Sequence, residues 1–286
     1  VSANPAPDRE AVRRVVRAAL DEDLGAAGDV TGRAVVPEHA RARAVLVARE
    51  PLVLAGVGVA LEVFRALDPA VVAEDRREDG TLAQAGDAVL VVSGLARALL
   101  AGERTALNLI QRLSGIATAA RAAVDEVAGT GAAILDTRKT APGLRLLDKY
   151  AVACGGATNH RVGLHDAIMI KDTHLAIAGP IAKAVRLALE SGMPPEAITV
   201  EVATPEAMEE AIAAGAGRVL LDNMDLATLR RCVAAGKGRA VLEASGGLRP
   251  GGLRAVAETG VDCLSVGALT HSVRSADLAM DLEPLA

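Results

Sequence analysis

The stretch AITVEVATPEAMEEAIAAGAGRVLLDN, residues 197–223, holds one complete structural unit. Ile198 to Val202 is a short, almost continuously apolar run, the pattern of a strand covered on both faces. Thr204 stands where a helix N-cap belongs, Pro205 at the first helical position and Gly215 just past the last turn. A second apolar run, Val219 to Leu221, then ends on Asp222. Strand, helix and strand in this order predict a parallel pair.

The same grammar extends in both directions. Apolar runs ending AAILDTRK, DAIMIKD, RAVLEASGG and VDCLSVGA bring the strands to six, where a regular β/α barrel has eight. An incomplete, irregular α/β barrel over 106–271 is the expectation. A long helix, ERTALNLIQRLSGIATAARAAVDEVAG, leads into it with Leu107, Ile110 and Leu113 on one face. The first hundred residues read differently. A helix at 8–20 precedes a polar loop, EDLGAAGDVTG, and alternating strands at 42–48 (ARAVLVA) and 86–94 (GDAVLVVSG). That reads as α+β over 1–105, a small sheet with helices on one side.

Composition narrows the function. Phe64 and Tyr150 are the only aromatics and there is no Trp, so stacking platforms for single-stranded nucleic acid are missing. A net charge of −5 gives no basic field for DNA or RNA. Cys154, Cys232 and Cys263 form no CxxC pair and suit a reducing cytosol, so they are read as structural or incidental. No run is as long as a membrane span and no signal peptide is evident, which predicts a cytoplasmic protein. Walker A, GxGxxG, HExxH and GxSxG patterns are absent.

The strand ends carry the chemistry. Arg138 and Lys139 follow the first, Lys171 the second, Glu201 the third and Asp222 the fourth; Glu243 and Ser245 close the fifth and Gly267 the last. In a parallel barrel these converge on one mouth. Polar strand ends are ordinary one at a time, but this run of cations, carboxylates and Ser-Gly-Gly favours a site. Residues 136–175 hold six Lys or Arg against four Asp, with His160, His165 and His174, so an acidic chain is locally cationic here. Cations beside a core require an anion to meet them. EASGGL, expected to lie before a helix, and SVGALTHS offer small-residue turns for phosphate in the last two loops. Glu201 and Asp222 suit a hydrated Mg2+, or equally ion pairs with Lys171 and Lys139; spacing does not choose.

GERTALNLIQRLSGIAT, DTRKTAPGLRLLDKYAVACGGATNHRVGLHDAIMIKDTH, VEVATPE, VLLDNM, LEASGGL and GVDCLSVGALTHS, with ALDEDLGAAGDVTG near the start, resemble the quinolinate phosphoribosyltransferases in order from about 18 to 275. The resemblance implies that quinolinate and phosphoribosyl pyrophosphate give nicotinate mononucleotide, pyrophosphate and carbon dioxide with Mg2+, in de novo NAD biosynthesis. It implies an N-terminal α+β open sandwich domain over 1–105, joined by the tail 272–286, before the incomplete α/β barrel, and a homodimer whose sites the partner chain completes. Arg138, His160, Arg161 and Lys171 would bind quinolinate, with Arg104 from the other subunit. Lys139, Glu201, Asp222, Ser245, Gly246, Gly247, Gly267 and His271 would hold phosphoribosyl pyrophosphate. Glu201 and Asp222 would take the metal, and Lys139, Lys171, Glu201 and Asp222 would be catalytic. Two positions depart from the family pattern: Ala203, where an acidic residue often follows VEV, and Thr173, where KDNH has Asn. A paralogue acting on another anion and a non-catalytic phosphosugar-binding module are the competing readings. The TRK and NHR pairs count against the first, and the set Lys171, Glu201 and Asp222 against the second.

Overall fold

The computed structural model describes residues 7–285, so residues 1–6 and Ala286 of the expected N-terminal domain and tail lie outside it. The chain forms two compact units. The first comprises residues up to Arg121, Ala141–Gly156 and the chain from Val273; the second comprises Ala122–Thr140 and Ala157–Ser272. The boundary expected at 105/106 falls inside one continuous helix, Ala96–Glu126.

The first unit is built on an antiparallel sheet. Its strands are β1 (Arg41–Ala48), β3 (Val72–Arg76), β5 (Ala88–Leu95) and β12 (Leu278–Leu285), in the order β12-β1-β5-β3. A short pair, β2 (Leu52–Val53) with β4 (Leu82–Ala83), stands apart. Along β1, Ala42, Ala44 and Leu46 are buried while Arg41 is exposed and Arg43 half-buried, the alternation of a sheet with one covered face. The EDLGAAGDVTG stretch, expected as a loop, is mostly helix. The helix Arg9–Leu24 ends there, and Asp29 Oδ1 accepts the Gly32 N–H at 2.9 Å to start a second helix, Val30–Val35. On the long helix, Leu107, Ile110 and Leu113 are buried, as the periodicity predicts.

The second unit is a parallel sheet of six strands: β6 (Ala133–Leu135), β7 (Ile168–Ile170), β8 (Ile198–Val202), β9 (Arg218–Asp222), β10 (Val241–Ser245) and β11 (Cys263–Ser265). Their order is β6-β11-β10-β9-β8-β7. β6 and β7 follow each other in sequence yet form opposite edges, and among the described residues no ladder joins them. The wall is therefore open, which makes this the incomplete α/β barrel that the strand count predicts. Thr158 lies along the free edge of β6: its N–H donates to Ile134 O at 2.8 Å and its carbonyl accepts from Asp136 N at 3.2 Å. The central strands are almost wholly buried, whereas β7 is only partly so, because it is an edge. Thr204 caps the helix Pro205–Ala213 by accepting from Ala207 N at 3.2 Å, as its position predicts.

Candidate active site

The carboxyl ends of β6 and β11 meet first. After β6, the Lys139 N–H donates to Thr137 Oγ1 at 3.1 Å, which curls the loop. Thr270 Oγ1 donates to Lys139 O at 2.9 Å and ties this loop to the short helix Ala268–His271. Gly267 precedes that helix, and a Cβ there would stand 3.1 Å from both Lys139 Cδ and His271 Cδ2. Lys139, Gly267 and His271 thus form one cluster.

A second cluster joins β9 to β10. Ser245 is the register partner of Asp222. Asn223, with φ of 53°, donates its N–H to Ser245 O at 2.9 Å and its Nδ2–H to Asp222 Oδ2 at 2.7 Å. Gly246 has φ of 104°, and a Cβ there would collide with the Asn223 amide, so only glycine fits. Gly247 also has positive φ. The expected helix does not follow directly: it begins only at Leu253, and the loop between is held by Glu126. That carboxylate accepts from Gly251 N at 2.8 Å, Leu253 N at 2.6 Å and Arg254 N at 3.3 Å.

At β7 and β8 the Lys171 ammonium donates to the Glu201 carboxylate. Of the two uses left open for the carboxylates, Glu201 is an ion-pair partner in this structure, while Asp222 is engaged by Asn223. Among the described residues no three His, Cys, Asp or Glu side chains gather to hold a metal. A hydrated Mg2+ takes only one or two protein carboxylates and draws its other ligands from phosphates and water.

The loop beyond Thr158 supplies the third group. His160 N donates to the fully buried Asp136 at 2.7 Å, and Arg161 N donates to His160 Nδ1 at 2.6 Å. Arg161 Nη1 donates to Ala167 O at 3.1 Å, and its Nε is buried without a hydrogen-bond partner. Desolvation, then the charge of neighbouring Arg138, holds Arg161 below the ordinary guanidinium pKa, with Asp166 acting the other way. A buried guanidinium N–H without a hydrogen-bond partner is the kind of group an anion satisfies.

Glu243, noted in sequence only as a strand-end residue, lies fully buried in β10. It accepts from Ser265 Oγ on β11 and from Arg218 Nη2 on β9 at 3.2 Å, and His160 Nε2 stands 3.3 Å from its Oε2. Burial alone would raise its pKa, but His160, Ser265 and the Arg218 charge carry it below the ordinary carboxylate value. The signal for this residue, and for Asp136, was a carboxylate inside or directly after an apolar run.

Several expected residues stand elsewhere. Arg104 is exposed on the helix Ala96–Glu126 in the first unit. Arg145, Asp148 and Lys149 of the cationic segment lie on the helix Arg145–Cys154, also in the first unit. Thr173 and Ala203, the two departures, are exposed. The three cysteines are free and buried, and burial pushes the Cys154 and Cys263 thiols up to about 12, so neither serves as a nucleophile near neutral pH.

Comparison with known proteins gives the family. A family model for the C-terminal domain of quinolinate phosphoribosyl transferase matches residues 116–281, and the model for its N-terminal domain matches residues 29–114. The nicotinate-nucleotide pyrophosphorylase (carboxylating) of Mycobacterium leprae (strain TN) is 45% identical over 282 residues, covering 96% of this chain and 98% of that one. The probable enzyme of the same name from Bacillus subtilis (strain 168) is 44% identical over 261 residues, 91% and 90% of the two chains. Among solved structures, NadC from Streptococcus pyogenes superposes with a TM-score of 0.91 at 38% identity, covering 96% of this chain and 97% of that chain. The chain belongs to the quinolinate phosphoribosyltransferase family.

Proposed function

We propose that this protein transfers the phosphoribosyl group of phosphoribosyl pyrophosphate to the ring nitrogen of quinolinate, with loss of carbon dioxide and pyrophosphate. The product is nicotinate mononucleotide, a step of de novo NAD biosynthesis. The observation that supports this reading most is the match to both family domains together with Arg161, whose Nε is buried without a hydrogen-bond partner and is thus open to a carboxylate. Arg138, Arg161 and Lys171 take the quinolinate carboxylates, with His160 beside them and Arg104 supplied by a second copy of the chain. Free, buried thiols suit a cytoplasmic setting.

Lys139, Ser245, Gly246, Gly247, Gly267 and His271 hold the phosphates through an ammonium, a hydroxyl, open backbone and an imidazole. Mg2+ held by Glu201 and Asp222 would neutralise charge on the departing pyrophosphate. Positive charge building on the ribose is stabilised by the same two carboxylates, and Lys139 steadies the leaving group. The pyridine nitrogen attacks with its own lone pair, so no general base is needed. Once alkylated, the positively charged nitrogen stabilises the electron pair left on the adjacent carbon as the C–C bond to the carboxylate breaks and carbon dioxide departs, and that carbon then takes a proton from solvent. The protein's task is to orient two anions and exclude water.

The test is product formation from quinolinate, phosphoribosyl pyrophosphate and Mg2+, with nicotinate as the control substrate. Nicotinate mononucleotide and carbon dioxide from the wild type, with a loss of about hundredfold or more in Arg138→Ala, are expected. No product from folded protein would overturn the reading in favour of a paralogue using another anion.

A further inference from the structure

Glu243 is a buried charge that the mechanism above does not use. A carboxylate in this position is costly unless every oxygen is met. Here two donors hydrogen-bond it, Ser265 from β11 and Arg218 from β9, and His160, from the loop beside β6, sets its Nε2 at ion-pair distance, 3.3 Å. The imidazole it faces is fixed at its other end as well. His160 Nδ1 accepts the Arg161 N–H at 2.6 Å and therefore carries no proton, which leaves the ring proton on Nε2, 3.3 Å from Glu243 Oε2. Both ring nitrogens are thus turned to protein partners. One of them determines where the backbone of Arg161 lies.

We propose that Glu243 is a positioning residue for substrate recognition, holding His160 as its Nε2–H tautomer so that Nδ1 anchors the Arg161 main chain and aims its guanidinium. This rests on the assignment of Arg161 to a quinolinate carboxylate. A carboxylate is required because Ser265 and Arg218 both donate to it and the ring nitrogen that stands 3.3 Å from it is the one the Arg161 N–H leaves to carry the proton. A glutamine offers one acceptor oxygen and one amide, so at least one donor would face an NH2 group.

Two measurements test it with the full-length protein. The first is the 15N spectrum of histidine-labelled protein at about pH 8, where an ordinary imidazole is neutral. His160 is assigned by the signal lost in His160→Asn. A protonated Nε2 and unprotonated Nδ1 are expected in the wild type, and a mixture or reversal in Glu243→Gln. The second is calorimetric binding of quinolinate. Glu243→Gln is expected to weaken it about tenfold or more, leave phosphoribosyl pyrophosphate binding within about twofold, and add nothing further in the His160→Asn background. Effects that simply add in the double variant, or an unchanged tautomer in Glu243→Gln, would overturn the proposal. Should that variant not fold, a wild-type His160 protonated on Nδ1 overturns it and one protonated on Nε2 supports it. A wild type that binds no quinolinate sinks the functional reading, while the tautomer measurement still decides the link between Glu243 and His160.

Discussion

Lys171 donates to Glu201 across the β7–β8 ladder, where Ile170 and Val200 are register partners, so the cation assigned to quinolinate and the carboxylate assigned to the sugar neutralise each other. Productive binding has to reshape this pair. Lys171→Ala is expected to raise the quinolinate KM about tenfold or more and leave the phosphoribosyl pyrophosphate KM within about threefold. Glu201→Gln should instead lower kcat by about hundredfold. Steady-state kinetics with each substrate varied in turn decides this, and equal changes in both KM values for Lys171→Ala would contradict it.

Gly267 has ordinary helical φ, so an added methyl strains no backbone there and acts only on its neighbours. It would press on Lys139 Cδ and His271 Cδ2, each 3.1 Å away. Gly267→Ala is expected to raise the phosphoribosyl pyrophosphate KM several-fold, roughly 1 kcal/mol of misplacement, with quinolinate affinity unchanged. Kinetics and calorimetry on the folded variant provide the check.

Arg112 grips the buried Asp148 in a fork, Nε to Oδ1 at 3.0 Å and Nη2 to Oδ2 at 2.7 Å. Asp148 also accepts the Ala141 N–H at 3.1 Å. Arg112→Met leaves a buried carboxylate without its main counter-charge and is expected to cost about 3–5 kcal/mol in urea unfolding. A loss below roughly 1 kcal/mol would show that the fork is dispensable.

The lowered pKa of Glu243 has a definite sign in the pH dependence of stability. The folded state binds fewer protons than the unfolded chain in the window between the two carboxyl values. Its stabilisation is full above the unfolded value, near about 4.3, and is lost as pH falls through the folded one. Glu243→Gln should therefore flatten the acid side of a Tm-against-pH curve. An acid limb identical to that of the wild type would refute this.

Glu126 satisfies the N–H groups at the start of the helix Leu253–Ala257, from the far end of the long helix. Glu126→Ala is expected to destabilise by about 1–2 kcal/mol and lower Tm by roughly 2–8 °C. Thermal unfolding followed by circular dichroism measures it.

The alternation of strands and helices in the second unit is legible residue by residue, because each strand–helix repeat carries its own punctuation. Apolar runs, Thr204 with Pro205, and closing glycines act over a few residues and need no distant partner. The long helix was equally legible through Leu107, Ile110 and Leu113. Local reading failed where a cap competed with a loop, at Asp29, and where two glycines stood for a helix start that comes only at Leu253. Arg138, Lys139, Lys171, Glu201, Asp222, Ser245 and Gly267 were nameable as strand ends, Arg104, His160, Arg161 and His271 as site residues only through the family resemblance, and no pairing was legible. Only the tertiary structure decided that Glu201 meets Lys171, that Gly267 lies against Lys139 and His271, and that Glu243 faces His160, Arg218 and Ser265. The physical reason is register: in a parallel sheet with helical crossovers, neighbouring side chains come from residues tens of positions apart, and the cost of burying a charge is met by partners the local sequence does not contain.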